Sequence, residues 1–455
     1  MLFVQPSKLL IDRTVKGLGV PARKIHSNLH PNTTVRKATE WMQDPKGMAF
    51  ITQQCYDQIR CNSDRIILPA RRHITAVFDE VPPIVRFFER RMRRTKHLIT
   101  DFLDCVPVDD GSYSLLAPKD SEYMEKLLKE EEDDFWMDKK DLLGALLSGH
   151  WNVHVETEQY ARLLNGRDFW LRTYAVRRPD SFAGFRNTMF AGACMTETMF
   201  YRKFSRDGIK FRRREDLSQQ LRPGGDPSLI QLHPMVIGPW SKAIRDSTRL
   251  KQLLGDDPED AYREHISDRL ERFLFLTNKD RLDLFEDNEV SRHLPQSMYG
   301  LNQYQGYNNA VIYMARNLTP AQSRFCMSPI MGMSEDEIRV DTMYIPVLQA
   351  GMRTSARNPE NNDIKEWHIP DVGCAVSISR WMPGVNVHKS LFNISAQSWG
   401  RPRIHATSRE RLRQHRRRKA KMQTREVGRP KKWNNKAERQ RQYRKRKNTA
   451  HNRPE

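Results

Sequence analysis

Two adjacent carboxylates, Asp79 and Glu80, close the apolar run of "AVFDEVPPIV" and stand before two prolines. A strand that ends in paired acids either caps itself in solvent or presents charge to something at the edge of a sheet. Taken alone the pair is uninformative, because short motifs have many false positives. A second constellation, His150 and His154 in "GHWNVH", has the i,i+4 spacing that would chelate a metal from one face of a helix, but no third ligand stands nearby. The six cysteines, Cys55, Cys61, Cys105, Cys194, Cys326 and Cys374, include no C-x-x-C pair. That spacing disfavours a disulfide framework and a structural zinc site, and leaves reduced structural thiols.

The 455 residues have room for two ordinary domains and extensions. Of the net charge of +21, the stretch from Arg401 onward carries +18, with 22 Lys and Arg against 4 Asp and Glu, and the first 400 residues carry only +3. An ordinary soluble body and a polycationic tail therefore share the chain. No stretch approaches the roughly 18 consecutive apolar residues of a membrane span, and no signal peptide opens the sequence. The expected place is the cytoplasm, or the nucleus of a eukaryote, with no membrane partner.

The elements that must position Asp79 and Glu80 are legible as short apolar runs. "MLFVQPSKLLIDRTV" reads as strand, loop and helix, "MAFITQQ" as a strand, and "HITAVFDE" as another. Such runs joined by helical or polar connections are the pattern of a parallel sheet with crossover helices. From about residue 85 to 180, "PPIVRFFERRMRRTKHLITDFL" and the Leu-periodic "KDSEYMEKLLKEEEDDFWMDKKDLLGALLSGH" predict a helical insertion. Strand character resumes at "TMFAGACMTETMFYRKF", and "RRREDLSQQLRPGGDPS" marks a boundary near residues 212 to 228. The expected divisions are a first domain over 1–211, a second over 229–400 and a disordered basic tail over 401–455. The second domain carries "RFLFLTNKD", "NNAVIYMARNL", "DTMYIPVLQAGMRTSARN" and "IKEWHIPD", read as apolar strands alternating with helix-like segments. In open α/β sheets ligands bind outside the carboxyl ends of the strands. Asp79, Asn278, Asn302 and Gln349 follow or flank such ends, and Met298, Met314, Met331 and Met333 are assigned to core packing.

In this order the segments resemble the superfamily-2 helicases of the DEAD/DEAH-like type. "FVQPSKLLIDRT" resembles motif Ia, "VFDEVP" motif II and "QAGMRTSAR" motif VI; "AGACMTET", "FLFLTNKD" and "GLNQY" stand where motifs III, IV and V belong. The resemblance covers roughly residues 1 to 375, and its strength lies in the order of six weak motifs. It implies an α/β fold of two RecA-like parallel-sheet domains, the first incomplete, and an ATP- and Mg²⁺-dependent helicase or translocase on DNA, of a plasmid, phage or mobile element. Asp79 would hold Mg²⁺ through water and Glu80 would polarise the attacking water. Arg353 or Arg357 would stabilise charge on the transferred phosphoryl group, with Gln349 as a phosphate-side partner and Gly300 and Asn302 as the cofactor-binding pair of motif V. Pro6, Ser7, Lys8, Thr52 and Asn278 would face nucleic acid. The acids and the arginines lie in different domains, so hydrolysis would require closure between them.

Two departures stand out. Arg353 and Arg357 are four apart where motif VI spaces its last arginines three apart. No G-x-x-x-x-G-K-[S/T] occurs anywhere, so the loop that supplies phosphate-binding N–H groups, a lysine and a Mg²⁺-binding hydroxyl is missing, with a strand–loop–helix unit of roughly 30 residues. A mis-called start, a split gene or a decayed remnant would each produce this, and the chain as written is expected to hydrolyse ATP negligibly. The missing unit would come from an upstream segment or a partner subunit. The rival expectation is a non-catalytic DNA-binding replication accessory protein on a helicase-like scaffold. For the tail, "GRPKK" resembles half of an AT-hook, with Val427 where an arginine should precede Gly428. The hook segment, with Arg429, Pro430, Lys431 and Lys432, would lie in a narrow minor groove, the cations of the tail would neutralise phosphates, and Trp433 and Tyr443 would stack on unpaired bases. The plain alternative is a nuclear-localisation or solubilising tail.

Overall fold

A computed structural model of the chain describes residues 1–59, 70–92, 97–108, 111–129, 140–218, 224–246, 250–251, 257–295 and 303–394. Gly300, Asn302, Met298, Cys61 and the whole basic tail, with Arg429, Pro430, Lys431, Lys432, Trp433 and Tyr443, lie outside these residues. Among the described residues no helix is long and apolar enough to cross a membrane.

Three sheets organise the body among the described residues, and two of them are parallel α/β sheets, as the apolar runs predict. The first is built from β1 (Leu2–Gln5), β2 (Ala22–Ile25), β3 (Met48–Thr52), β4 (Thr75–Asp79) and β10 (Asn187–Ala191), in the spatial order β10-β4-β1-β3-β2. Every pairing in it is parallel. Leu2, Val4, Ala49, Ile51, Ala76 and Phe78 supply its buried side chains, and Ala38, Trp41, Met42 and Tyr56 pack on them from the connecting helices. Crossover helices cover such a sheet, which is why its strands read as nearly unbroken apolar runs. The register sets Val4 beside Phe78, so the next residues, Gln5 and Asp79, end their strands together at the carboxyl end of the sheet.

The second parallel sheet holds β11 (Ile230–Val236), β12 (Phe273–Thr277), β13 (Ser291–His293), β14 (Asn309–Tyr313), β15 (Lys365–Asp371) and β16 (Asn386–Val387), in the order β13-β12-β14-β15-β11-β16. β11 lies between β15 and β16 although Pro234 interrupts it, a position where proline is normally excluded. The Pro234 carbonyl accepts from Leu391 N at 2.9 Å, on the side where the two-residue β16 has already ended. A residue in a strand points its N–H and C=O the same way, so the missing N–H takes nothing from the β11–β15 ladder. "DTMYIPVLQAG" is helical rather than a strand: a π-turn over Val340–Tyr344 runs into a helix over Ile345–Gly351, with Pro346 in the first helical turn where its absent N–H is harmless.

The insertion corrects the helical expectation. It is a five-stranded antiparallel sheet, β5 (Val85–Arg91), β6 (Leu103–Val108), β7 (Tyr113–Pro118), β8 (Trp151–Glu156) and β9 (Trp170–Arg177), ordered β5-β9-β8-β7-β6. "VRFFERR" carries apolar residues that fit a helical period, but its partner β9 lies far along the chain. Glu89 faces Arg172 across the pair and accepts from its Nε at 2.7 Å, a cross-strand contact of the kind that stabilises sheets. Helices over Ser121–Lys129, Lys140–Leu147 and Thr157–Leu164 survive from the helical reading and bury Leu142, Leu143, Leu146, Tyr160 and Leu163 with Trp151, Val153, Leu171 and Ala175 of the sheet. His150 and His154 lie at β8, not on a helix. His150 is fully buried against Ile59 O at 2.6 Å, and burial pushes it down to about 4.

An apolar core joins the parts. It draws Ile84, Val85, Tyr174 and Val176 from the insertion, Met199, Phe200 and Phe204 from the helix after β10, and Phe325, Met331, Met333 and Ile338 from the second half of the chain. Tyr174 and Phe325 stack with centroids 4.3 Å apart. Beside it Asp341 accepts from Met199 N at 3.0 Å, and burial pushes its carboxyl up to about 6, against the pull of that N–H. The folded chain therefore keeps a proton that the unfolded chain, with an ordinary carboxyl at 3.8, releases. Its contribution weakens stability as pH rises from about 4 to about 6, and the loss persists above. Asp341→Asn keeps the acceptor and removes the charge, so it is expected to stabilise the chain at pH 8 by roughly 1–3 kcal/mol and to make no difference below pH 4. Urea midpoints for both chains across pH check this; a constant offset at every pH contradicts it.

Candidate functional site

The site is built where β4 ends. Glu80 has φ +92°, a left-handed conformation costly for a side chain with a Cβ, and its N–H donates to Ala191 O at 2.6 Å at the end of β10. The strained turn sits against Gly192: a Cβ there would lie 2.6 Å from Val81 Cγ2 and 3.2 Å from Val81 N. Gly192→Ala is accordingly expected to cost about 1–3 kcal/mol, the usual range for overpacking. Part of that cost should disappear in a Val81→Ala background; equal costs in both backgrounds, by urea denaturation, would contradict the contact.

The turn sends the two acids different ways: Asp79 stays with its own sheet, and Glu80 reaches the helix Ile345–Gly351. Asp79 Oδ2 accepts from Gln5 Nε2 at 2.8 Å, and Gln5 Nε2 also reaches Thr14 Oγ1 at 3.0 Å. Glu80 Oε2 accepts from Gln349 Nε2 at 3.4 Å, across to the helix Ile345–Gly351. Burial and the neighbouring Asp79 push the Glu80 carboxyl up, while Arg353 and Arg357 pull it down. Burial lowers Arg357, opposed by Glu80. Arg353 is 4% exposed. Gln349 from the helix Ile345–Gly351, and Arg353 and Arg357 from the loop after it, thus converge on Glu80, beside Asp79.

The arginine loop is fixed from below. Gly351 ends its helix against the Trp367 ring, where a Cβ would stand 2.6 Å from Cε3. Thr354 caps the short turn Ser355–Arg357, Ser355 N donates to Tyr307 O at 2.8 Å, and Gly225 N donates to Ala356 O at 3.0 Å. The "RPGG" stretch, read as a boundary, supplies this last contact.

The residues expected to face nucleic acid have local partners. Ser7 caps the helix Lys8–Leu18 through Leu10 N at 3.2 Å, and Thr52 caps Gln53–Gln58 through Cys55 N at 3.1 Å. Lys8 Nζ donates to Asn28 Oδ1 at 2.8 Å, and Pro6 lies between β1 and its helix. Asn278 is clamped to Ala315, donating to its carbonyl at 3.1 Å and accepting from its N–H at 2.9 Å. Sequence reasoning missed Gln5, which the motif-Ia stretch contained, and Asp371, the buried acid at the end of β15. Asp371 accepts from Trp240 N and Cys374 N at 2.9 and 2.8 Å, and burial raises its carboxyl. Its signal was the polar end of "IKEWHIPD".

Two acids at the end of one sheet, with two guanidinium groups and an amide brought to Glu80 by a helix and the loop after it, can hold a hydrated cation and a polyanion between them. No family model matches the chain, and no curated protein matches it. Solved structures similar to it are an XPD protein in the apo form, at 10% identity over 86% of this chain and 91% of that one with a TM-score of 0.42, and an XPD helicase, at 11% identity over 84% and 83% with a TM-score of 0.38. Xpd4 of S. tokodaii is similar at 12% identity, over 86% of this chain and 90% of that one, with a TM-score of 0.42.

Proposed function

We propose that the chain is the motor body of a superfamily-2 helicase or translocase acting on DNA, with its nucleotide site at the junction of the two parallel sheets. The observation that carries this reading is the approach of Gln349, Arg353 and Arg357 to Glu80 across that junction. Carboxylate oxygens suit Mg²⁺, which binds through one or two carboxylates and keeps its other waters. Asp79 would hold the ion through such a water, oriented by Gln5. Glu80, held at a fixed angle by its strained backbone, would accept the proton of the attacking water. The arginines would neutralise charge gathering on the phosphoryl oxygens, and Gln349 would link them to Glu80.

In this reading the phosphate-binding loop comes from outside these 455 residues, which contain no G-x-x-x-x-G-K-[S/T]. Among the described residues β10 has β4 on one side and is the edge of its sheet, so a further parallel strand can join there, beside Glu80 and Gly192. The test is DNA-stimulated ATP hydrolysis and strand displacement by the chain joined to, or mixed with, a strand–loop–helix unit encoded upstream of Met1 or carried by a partner. Activity that depends on the added unit supports the proposal. A folded combination that binds DNA and hydrolyses nothing overturns it.

The absent loop favours a second reading, a DNA-binding accessory protein whose body is a scaffold and whose tail supplies affinity. Binding would then fall with salt in proportion to the phosphates neutralised, and no added unit would produce hydrolysis.

A further inference from the structure

One face of the second sheet carries a histidine cluster that the interdomain site does not use. β11 and β15 pair so that His233 stands beside His368 and Gln231 beside Glu366. Residues two apart in a strand share a face, so all four project together, while Trp367 between them turns to the face where Gly351 lies. The cluster is therefore on the opposite face from the helix bearing Gln349. The rings of His368 and His233 stack with centroids 4.9 Å apart, and His388 continues the stack 4.3 Å from His233.

Glu366 Oε2 lies 3.6 Å from His233 Nε2 and 3.8 Å from His368 Nε2, and one donor atom from each of the three residues falls within 4.8 Å of the others. His233 is 4% exposed and His368 is fully buried; His368 Nδ1 has no hydrogen-bond partner, and its Nε2 has Glu366 at 3.8 Å. A buried imidazole with an unpaired nitrogen is costly, and such an orphaned group points to an absent partner. Imidazole nitrogens offer lone pairs to a metal.

We propose that His233, Glu366 and His368 bind a transition-metal ion, Zn²⁺ by preference, as a structural clasp between β11 and β15. Two imidazoles and one carboxylate are a common zinc donor set, and bonds of about 2.0–2.1 Å in a tetrahedron place donors about 3.4 Å apart, so the observed spacings need only small rotations. Water completes the shell. Arg269 Nε now holds Glu366 Oε2 at 2.5 Å and Nη2 lies 3.5 Å from His233 Nε2. Its side chain is 40% exposed, so it turns into solvent when the ion replaces it as the counter-charge of Glu366.

The test uses the full chain, washed with chelator, and Co²⁺ as a spectroscopic probe, without nucleotide or DNA, so that it stands or falls apart from the motor reading. Expected are one Co²⁺ per chain with tetrahedral visible absorption, displacement by Zn²⁺, and a higher melting temperature with metal bound. His233→Gln and His368→Gln should weaken binding by more than the roughly 10- to 100-fold that outer-shell changes cause, and Arg269→Gln should tighten it. No uptake by the parent chain, or equal uptake by both histidine variants, overturns the site. Should the buried variants fail to fold, X-ray absorption of the zinc-loaded parent chain decides: two imidazoles without sulfur support the assignment, and a sulfur-containing or all-oxygen shell overturns it.

Discussion

Asp57→Ala is expected to destabilise the chain by about 3–5 kcal/mol, the cost of stranding a buried charge. Asp57 lies in the last turn of the helix Gln53–Gln58 with its side chain 3% exposed, and its Oδ1 meets Arg177 Nη1 at 2.8 Å. Arg86 holds its other oxygen. Arg177 is completely buried and lies over the Trp151 ring at 4.1 Å, and Arg86 lies over the same ring at 4.7 Å. The triad joins the first parallel sheet to β5 and β9 of the insertion. Removing the acid leaves Arg177 in the interior, whereas Arg86, 35% exposed, can turn to water. Changing Asp57 to Leu together with Arg177 to Met removes both charges, so it should cost much less than Asp57→Ala alone. Urea denaturation of the three chains measures this, and a loss below about 1 kcal/mol for Asp57→Ala would mean that the joint is held by apolar packing.

A larger effect is expected at the arginines. In the chain supplied with a phosphate-binding loop, replacing the arginine that meets the transferred phosphoryl group with Ala should lower kcat by about 10³- to 10⁵-fold, the range for arginine fingers. The other arginine should affect hydrolysis less, through Glu80: losing a cation beside that carboxyl raises it further and shifts the acid limb of the pH–rate profile upward. Single-turnover hydrolysis by Arg353→Ala and Arg357→Ala across pH separates the two roles. Near-parental rates in both variants would remove the arginines from the chemistry.

The parallel sheets were legible because β1, β3, β4, β12 and β14 are short apolar runs whose helices lie next to them in the chain. The insertion was not, since β5 pairs with β9 some eighty residues on and its local pattern fits a helix equally well. A nearer signal lay in "CVPVDDGSY", where Gly111, at φ +78°, stands between β6 and β7. Pro234 hid β11, because its tolerance depends on β16 ending early. The approach of Glu80 to Gln349, Arg353 and Arg357 was carried by motif order alone, as no periodicity relates residues so distant. The expected nucleic-acid contacts at Ser7 and Thr52 follow strands as the motifs require, but a residue in that position can also cap the next helix, and here both do. The pairing of His233 with His368 comes from strand register, which neither residue's neighbours encode.

The most direct test of the central claim is phosphate release from ATP, with and without DNA, by this chain alone and by its Glu80→Gln variant. The account predicts no hydrolysis above background from either chain alone, and hydrolysis by the parent but not the variant once a phosphate-binding loop is added. Hydrolysis by the parent chain alone that the substitution abolishes would place a complete phosphate site within these 455 residues and contradict the account.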